Sequence, residues 1–331
     1  MKARIALLYG GASSEHDVSV MGYEYMRTLL TGSDFELLPV FVDKTGEWHI
    51  RLKGADIPAY PTRKMGGSLY TGYGFIKIDA AIPLLHGEGG EDGSVQGALE
   101  VAGLPYIGAD VCTSALCLDK TYTKAVAETL GIPTVPSVSF QAPTDAETAL
   151  AMCENRLGFP MFIKPRRLGS SVGAYPVNNK DDFKAFFPLS MKEGKNLVTV
   201  EKMLTNKREL ECAFYGAKGE RIITPPGEIL VDGFYGYGEK YGGKTDTHTV
   251  ASVSEAVKRE IRACCERLAD TLRLRHLARI DFFLTDEGLY FNEINTFPGF
   301  TSESLYPKMI EAHGIAPRDA IISFIEDALA W

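Results

Sequence analysis

The sequence predicts an α/β fold that contains parallel β-sheet, and three observations support this prediction. Short apolar runs of strand length alternate with longer segments of helical period along the chain. Several of these runs end in glycine-rich loops, and the ligands of open α/β sheets bind beyond the strands at such an edge. The length of 331 residues allows two or three folded units.

An N-terminal Rossmann-like unit with a parallel sheet is expected over residues 1–115. Its predicted elements, in chain order, are strand 4–9, helix 18–30, strands 35–42 and 76–85, and helix 95–102. The first strand ends in Gly10-Gly11, which predicts a tight turn before the first helix. Strands that alternate with helices pair in parallel through right-handed crossovers.

Two further α/β units are expected over residues 116–201 and 202–331. The elements of the second unit are helix 120–130, strand 135–140, helix 146–157, and strands 159–165 and 197–201. Thr144 is the expected N-cap of the helix 146–157. The third unit contains strands 210–215 and 221–225, a glycine-rich loop 232–245, helix 255–274, a hairpin 278–295 and a C-terminal helix.

Composition excludes several classes of protein. Hydrophobic residues make up 45% and charged residues 24% of the chain, which is typical of a globular rather than a disordered protein. A net charge of −8 without a long run of Lys or Arg argues against nucleic-acid and membrane-surface partners. No apolar run approaches the ~20 residues of a membrane span, and none of the six cysteines has CxxC spacing. We therefore expect a cytoplasmic protein with reduced thiols.

Acidic side chains gather on one face of the predicted C-terminal hairpin. If residues 286–288 form a three-residue loop, Asp281 lies opposite Glu293 and Arg279 lies opposite Asn295. All four side chains then share one face, because alternate residues of a strand point the same way. Like charges in register are destabilising, so a positive group is expected between the carboxylates. Mg²⁺ satisfies this with oxygen ligands, and a compensating salt bridge on a solvated face is the alternative.

Two glycine-rich loops and one histidine are further candidates for a binding site. The loop 164–173 follows a strand and places two serines between glycines, which suits phosphate binding but is also common in surface connections. The aromatic and glycine-rich loop 232–243 is typical of a lid, or of a surface that meets a partner. His86 follows the strand 76–85, at the sheet edge where Gly10-Gly11 also lies.

Seven motifs in order resemble those of the D-alanine–D-alanine ligases of the ATP-grasp superfamily. They are GGxSSExxVS at 10–19, HGxxGEDGxxQG at 86–97, LDK at 118–120, KPxxxGSSVG at 164–173, EKY at 239–241, RID at 279–281 and NEINTxPGFTSxS at 292–304. The resemblance covers nearly the whole chain. It implies a two-part ATP-grasp fold after the N-terminal unit, with ATP between the second and third units. It also implies formation of D-alanyl-D-alanine for peptidoglycan, with ATP converted to ADP and phosphate through an acyl phosphate.

The resemblance implies roles for residues on the amino-acid side of the site. Glu15 should bind the ammonium of the first D-alanine, with Ser170 and Tyr241 hydrogen-bonded to it to close the lid. His86 should lie beside the carboxylate of that D-alanine. Other implied groups are Arg279 and the Gly299 N–H for the oxyanion, Ser304 and Leu305 for the second D-alanine, and Asp281, Glu293 and Asn295 for two Mg²⁺ ions that Mn²⁺ can replace.

The resemblance also implies a set of ATP-binding residues. Lys120, Lys164 and Lys240 should contact phosphates or, in part, the adenine edge. Glu201 and the backbone near Leu204 should contact adenine. Glu209 should hold the ribose hydroxyls, although its spacing from Glu201 is one residue longer than in the family and Glu211 is an alternative.

Some positions depart from the family or leave alternatives open. The lid reads Tyr235-Gly236-Tyr237-Gly238 where many relatives have Tyr-Asp-Tyr, so we expect its closure to be more costly in entropy. Tyr241 argues against a D-lactate enzyme, whereas D-serine as second substrate stays open, the more so because Glu303 precedes Ser304. Another ATP-grasp ligase and a non-catalytic ATP-grasp nucleotide-binding protein are further alternatives. The resemblance implies a homodimer.

Overall fold

The computed structural model describes residues 2–230 and 246–331. The expected lid 232–245, with Lys240 and Tyr241, lies outside the described residues. The α-helices are α1 His16–Leu29, α2 Ser94–Ala102, α3 Val111–Leu118, α4 Lys120–Thr129, α5 Ala146–Arg156, α6 Lys180–Glu193, α7 Glu255–Thr271, α8 Leu305–Ala312 and α9 Pro317–Leu329. The first strands are β1 Ala3–Gly10, β2 Phe35–Val42, β3 Trp48–Leu52, β4 Ala55–Thr62, β5 Ser68–Thr71, β6 Gly74–Lys77 and β7 Ala80–Pro83.

The remaining strands build two further sheets. They are β8 Ser137–Gln141, β9 Met161–Pro165, β10 Tyr175–Val177, β11 Leu197–Lys202, β12 Arg208–Ala217, β13 Glu220–Ile223, β14 Gly227–Leu230, β15 Asp246–His248, β16 His276–Thr285 and β17 Gly288–Asn295. The α/β fold predicted from the sequence is confirmed. No helix among residues 2–230 and 246–331 is long and apolar enough to cross a membrane.

The N-terminal sheet is mixed rather than wholly parallel. Its strand order is β6-β5-β4-β3-β2-β1-β7, and only the pairs β1–β2 and β1–β7 are parallel. Strands β3 to β6 form an antiparallel extension that the sequence analysis did not predict. The predicted strand 76–85 is wrong as one element, because β6 joins the extension whereas β7 pairs with β1. Short strands joined by tight turns give a weak sequence signal, which explains both differences.

The central sheet has the antiparallel order β10-β9-β11-β8. Helices α5 and α6 pack against it through a buried cluster that includes Ile163, Phe183, Phe187 and Val200. The predicted N-cap at Thr144 is wrong, because the Asp145 side chain accepts the hydrogen bond from the Thr148 N–H. Thr144 instead donates its hydroxyl to the Gln141 carbonyl. A carboxylate is at least as good an N-cap as a threonine hydroxyl.

The C-terminal sheet has the order β15-β14-β12-β16-β17, with β13 also paired to β12. Its apolar face packs on α7 through a cluster that includes Cys265, Leu268, Ile280 and Phe282. The opposite face of β16 and β17 carries the polar side chains of the hairpin and faces the site. The core of this sheet therefore fixes the backbone from which those side chains project.

The hairpin of β16 and β17 has the predicted pairing, but its loop is shorter than predicted and one strand contains a bulge. Asp281 lies opposite Glu293 and Arg279 opposite Asn295, as expected. The loop, however, has two residues rather than three, because Thr285 pairs with Gly288. The register shifts by one residue beyond the Asp281–Glu293 pair, and the bulge at Asn292 absorbs the difference.

Candidate active site

The site consists of two adjoining cavities between the three sheets, of about 1100 Å³ and about 610 Å³. Every described candidate residue lines one or both of them. The larger cavity is lined by Glu15, His86, Arg279, Asp281, Asn295, Gly299, Ser304 and Leu305, and the smaller by Lys164, Glu201 and Leu204. Lys120, Ser170, Glu209 and Glu293 line both, so they form the boundary between the cavities.

Glu15 and Ser170 meet across the boundary between the N-terminal and central sheets. The Ser170 hydroxyl donates to Glu15 Oε1 at 2.5 Å. Glu15 is at the N-cap position of α1 but makes no side-chain cap, so its carboxylate is directed to the loop instead. Ser170 and Ser171 both have left-handed backbones, with φ of 52° and 59°. A Cβ on Gly169 would lie 3.3 Å from Glu15 Oε2, so glycine permits this approach.

A buried ion cluster anchors the glycine–serine loop that carries Ser170. Asp119 is fully buried and caps α4 by accepting from the Thr121 N–H. It also accepts from Arg166 Nε at 3.1 Å and Nη2 at 2.9 Å, and from Arg167 Nε at 2.9 Å. The Lys120 N–H donates to the Arg166 carbonyl at 3.0 Å. These bonds tie the start of the loop to the junction of α3 and α4.

On the polar face of the hairpin, Arg279 and Asn295 both contact Asp281, and Arg279 also contacts Glu211 on the neighbouring strand β12. Arg279 donates to Asp281 through Nε at 2.9 Å and Nη2 at 2.8 Å. Glu211, opposite Asp281 on β12, forms a second ion pair with Arg279 Nε at 3.1 Å. Asn295 Nδ2 donates to Asp281 Oδ2 at 3.0 Å. Arg279 therefore supplies positive charge to two carboxylates, as the salt-bridge alternative requires.

The donor set of the hairpin also fits a divalent cation. Asp281, Glu293 and Asn295 offer hard oxygen ligands from two adjacent strands, and the Glu293 side chain is 23% exposed toward the cavity. Lys120 Nζ lies 3.3 Å from Glu293 Oε2. The Oδ1 atom of Asn292, at the bulge, is buried and has no hydrogen-bond partner among the described residues. The polar face of the hairpin therefore carries more oxygen atoms than Lys120 and Arg279 contact.

His86 and Glu91 lie buried beside Glu15 and Arg279. Burial and the positive charge of Arg279 lower the pKa of His86, although Glu15 and the Phe297 backbone oppose the shift. His86 is therefore neutral near pH 7. Burial, together with the charge of Glu15, raises the pKa of Glu91 to about 7. The Glu91 carboxylate accepts from the Gly87 N–H at 2.9 Å and from the Phe297 N–H at 3.3 Å.

The smaller cavity is built around a buried ion triad. Glu201 pairs with Lys164 Nζ at 2.9 Å through one oxygen and with Lys124 Nζ through the other. Burial alone would raise the pKa of Glu201, but the two lysines outweigh it and lower the pKa to about 2. Lys120 Nζ donates to the Leu168 carbonyl at 2.8 Å. Positive charge thus exceeds negative charge among these four side chains.

Glu209 and Glu211 occupy different positions although both project from one face of β12. Glu209 lines both cavities and pairs with Lys207 Nζ at 2.7 Å. Glu211 is 4% exposed and lies against Arg279. Glu209 is therefore the one that can reach a ligand spanning the two cavities.

The far end of the larger cavity lies at the N-terminus of α8. Ser304 is the N-cap residue but makes no side-chain cap, and its Oγ accepts from the Thr301 N–H at 3.1 Å. A Cβ on Gly299 would lie 3.1 Å from Ser304 Oγ, so these two residues are close. Unpaired N–H groups at a helix N-terminus favour an anion such as a carboxylate. Glu303 also lines this cavity, and Lys308 Nζ lies 3.1 Å from its Oε2.

Sequence reasoning did not single out several of these side chains. Lys124 lies one helical turn after Lys120 and so shares its face of α4, which is a signal that could have found it. Glu91 stands within the motif at 86–97, but nothing in the sequence indicates that its carboxylate is buried. The pairing of Asp119 with Arg166 joins segments 47 residues apart and has no local signal.

Comparison with known proteins gives one consistent family. The family model described as D-ala D-ala ligase N-terminus matches residues 4–109, and D-ala D-ala ligase C-terminus matches residues 126–326. The D-alanine--D-alanine ligase A of Escherichia coli (strain K12) is 34% identical over an alignment that covers 99% of this chain and 96% of that protein.

Two solved structures have the same fold along their whole length. D-alanyl-alanine synthetase A from Vibrio cholerae superposes with a TM-score of 0.90 at 33% identity, covering 100% of this chain and 99% of that chain. The VanG D-Ala:D-Ser ligase from Enterococcus faecalis superposes with a TM-score of 0.89 at 30% identity, covering 99% of this chain and 100% of that one.

Proposed function

This chain belongs to the D-alanine–D-alanine ligase family, and from that premise we propose how its site forms D-alanyl-D-alanine. The reaction is an ATP-dependent ligation that supplies the dipeptide for peptidoglycan precursors. The observation that carries the proposal is the boundary shared by the two cavities. Lys120, Ser170, Glu209 and Glu293 line both, so the γ-phosphate of ATP in one cavity can meet a carboxylate in the other.

The first D-alanine is bound at the end of the larger cavity formed by Glu15 and His86. The Glu15 carboxylate attracts the ammonium group, and Ser170 holds that carboxylate in place. His86 is neutral and lies next to the substrate carboxylate, to which its ring N–H can donate a hydrogen bond. Bringing this carboxylate to the γ-phosphate makes an otherwise bimolecular step effectively intramolecular.

The second D-alanine is bound at the N-terminus of α8. Ser304 and the Leu305 N–H accommodate its carboxylate, as the helix terminus favours. Its amine, once neutral, attacks the acyl phosphate, the C–N bond forms and phosphate leaves. Arg279 and the Gly299 N–H donate to the oxygen that becomes negative in this step, and preorganised donors of this kind are worth several kcal/mol in other enzymes, or about 10²–10³ in rate.

ATP occupies the smaller cavity, with adenine near Glu201 and the Leu204 backbone and the ribose hydroxyls at Glu209. Lys120 and Lys164 contact the phosphates, and Lys240 of the lid joins them. Asp281, Glu293 and Asn295 would hold two Mg²⁺ ions, for which Mn²⁺ could substitute. When bound, these ions neutralise charge on the β- and γ-phosphates. With the ions bound, Glu293 and Asp281 would be engaged as ligands, and their partners Lys120 and Arg279 would be available to the substrates.

For residues 232–245, which lie outside the described part of the chain, the family resemblance implies a lid that excludes water during the reaction, with Tyr241 as a partner of Glu15 and Ser170. Exclusion of water protects the acyl phosphate from hydrolysis. The units 1–115, 116–201 and 202–331 surround the site as three domains. We place the reaction in the cytoplasm, where ATP is available, and expect a homodimer, which light scattering after size-exclusion chromatography tests.

D-serine as second substrate is the competing assignment, because a D-Ala:D-Ser ligase has nearly the same fold. Phosphate release from ATP and Mg²⁺ with D-alanine alone, then with D-serine or D-lactate added, distinguishes the two, with products identified by mass. We expect the dipeptide from D-alanine alone. A preference for the mixed product would move the chain to the D-serine branch. Bound ATP without release that depends on an amino acid would mean another acid substrate or a non-catalytic protein.

A further inference from the structure

We propose that Glu91 is a positioning residue for this ligation, because its carboxylate ties the loop of His86 to the loop of Gly299. The inference rests on the proposed function and adds a residue that the family resemblance did not assign. It concerns a part of the site where two sheets meet and where regular secondary structure has ended. Glu91 contacts neither substrate in the proposal and acts through the backbone of Phe297.

The position of Glu91 is fixed by its own loop. The Glu91 N–H donates to the Gly87 carbonyl at 2.8 Å, and the Glu91 carboxylate accepts from the Gly87 N–H at 2.9 Å. Gln96 Nε2 donates to the Gly90 carbonyl at 2.7 Å. A Cβ on Gly90 would lie 2.5 Å from the Leu85 backbone, so the loop packs directly on the end of its strand. The carboxylate is thus held rigidly in the N-terminal unit.

From this fixed position the carboxylate reaches the C-terminal unit. Glu91 Oε1 accepts from the Phe297 N–H at 3.3 Å, and the His86 ring also forms a hydrogen bond with the Phe297 backbone. Phe297 follows the end of β17 and lies two residues after Asn295 and two residues before Gly299. The segment 296–304 contains no helix or strand, so contacts from outside it must fix its course.

A carboxylate suits this position better than an amide of the same shape. It offers an acceptor to each of two N–H donors, on Gly87 and on Phe297. Glutamine has one acceptor, and its NH₂ group would face the second N–H. Glu91→Gln should therefore lose the hydrogen bond to one of these two N–H groups, while the volume of the side chain stays the same. A displacement of Gly299 by a fraction of an ångström would weaken the oxyanion interaction, since such sites tolerate about 0.5 Å.

The test compares Glu91→Gln with Glu88→Gln, a matched change in the same loop. Glu88 is exposed and pairs with Lys195 on the surface. We expect Glu91→Gln to lower kcat about tenfold or more, with KM for ATP within about twofold and an unchanged or higher Tm. Removal of a buried carboxylate relieves its desolvation, which is why Tm should not fall. Glu88→Gln should change none of these quantities.

Wild-type kcat in Glu91→Gln would overturn the inference, and so would a fall in kcat that is matched by an equal rise in KM for ATP. If Glu91→Gln does not fold, Glu91→Asp replaces it, because its shorter carboxylate cannot reach both N–H groups. Wild-type kcat in that variant would overturn the inference equally. Failure of the proposed function is distinct, because then the wild-type enzyme itself would make no dipeptide.

Discussion

The two ends of the site carry opposite surpluses of buried charge. At the nucleotide end, Lys124 and Lys164 both pair with Glu201, and Lys120 lies at the boundary of the two cavities, where it pairs with Glu293. At the amino-acid end, one arginine faces several carboxylates, and these are Glu15, Glu91, Glu211, Asp281 and Glu293. Each surplus is opposite in sign to the ligands proposed for that end, which are phosphates on one side and Mg²⁺ with an ammonium on the other.

This difference in charge distinguishes ion pairs that stabilise the fold from charged groups that are available to a ligand. Glu201 has a lysine on each oxygen and is ionised without any ligand. Asp281 and Glu211 instead share one guanidinium, and a bound cation would add positive charge to this acidic face. Buried charges without full compensation are costly, and their concentration in a cleft is typical of functional sites.

The largest effect should come from removing a metal ligand at the acidic end. Glu293→Gln should lower kcat by about 10³-fold or more, because the amide lacks the charge that a divalent cation requires. Steady-state turnover over a range of Mg²⁺ concentrations measures this, and circular dichroism should show an intact fold. Glu287→Gln, at the exposed tip of the same hairpin, is the control. Full activity in Glu293→Gln would remove the metal assignment.

At the nucleotide end the largest effect should be on stability. Lys124→Met leaves Glu201 with one lysine in a site where the Lys124 side chain is 4% exposed. Breaking a buried pair costs about 3 kcal/mol or more, so urea unfolding should show a loss of that size. Lys202→Met, on the exposed face next to Glu201, should change the free energy of unfolding by less than about 0.5 kcal/mol. If Lys124→Met and Lys202→Met lost the same free energy of unfolding, the interpretation that the Lys124–Glu201 pair stabilises the fold would be wrong.

The pKa of Glu91 predicts a pH dependence of stability. The carboxyl group binds its proton more tightly in the folded state, with a pKa of about 7, than in the unfolded state, with 4.5. Its contribution to the free energy of unfolding therefore falls as pH rises from about 4.5 to 7 and is constant above that range. The charge of Glu15 adds to the shift, whereas the Gly87 and Phe297 N–H groups and Arg279 oppose it.

Urea unfolding of the wild-type protein and Glu91→Gln between pH 5 and pH 8 tests this dependence. The stability of the wild type relative to the variant should fall with rising pH, by at most about 3 kcal/mol. Glu88→Gln should follow the wild type throughout. A difference that is independent of pH would mean that burial does not raise the pKa of Glu91.

A smaller effect is expected from the second partner of Arg279. Glu211→Gln removes one of the two carboxylates that form ion pairs with Arg279 among the described residues, so Arg279 should hold Asp281 more strongly and compete with Mg²⁺ for it. We expect the Mg²⁺ concentration at half-maximal turnover to rise about tenfold. The Mg²⁺ dependence of phosphate release measures this concentration. An unchanged dependence would show that Glu211 does not weaken the interaction of Arg279 with Asp281.

The smallest effect is expected from Tyr241, which lies in the expected lid and outside the described residues. Tyr241→Phe removes a hydroxyl that the family resemblance places beside Ser170 and Glu15, so discrimination among second substrates should weaken by a few fold. Competition between D-alanine and D-serine or D-lactate, read by product mass, measures it. An unchanged product ratio would remove this role of Tyr241.

The sequence predicted the parts of the molecule that have a local signature. The alternation of strands and helices, the pairing of Asp281 with Glu293 and the loop after Pro165 all depend on neighbours in the chain. The antiparallel extension β3 to β6 was missed, because four short strands leave little periodicity. The Lys124–Glu201 and Asp119–Arg166 pairs were missed because only the folded chain brings them together. The sequence did not distinguish Glu91 from the other acidic residues, because its raised pKa results from burial in the folded structure.

The bulge at Asn292 makes the two ends of one hairpin independent of each other. The pairing at the tip of the hairpin and the pairing at its base differ in register by one residue, and the bulge takes up this difference. An insertion or deletion at the tip need not move Glu293 or Asn295 to the apolar face, provided that the bulge appears or vanishes with it. Descendants of this sequence can therefore vary the hairpin tip in length, while the side chains at its base keep their orientation.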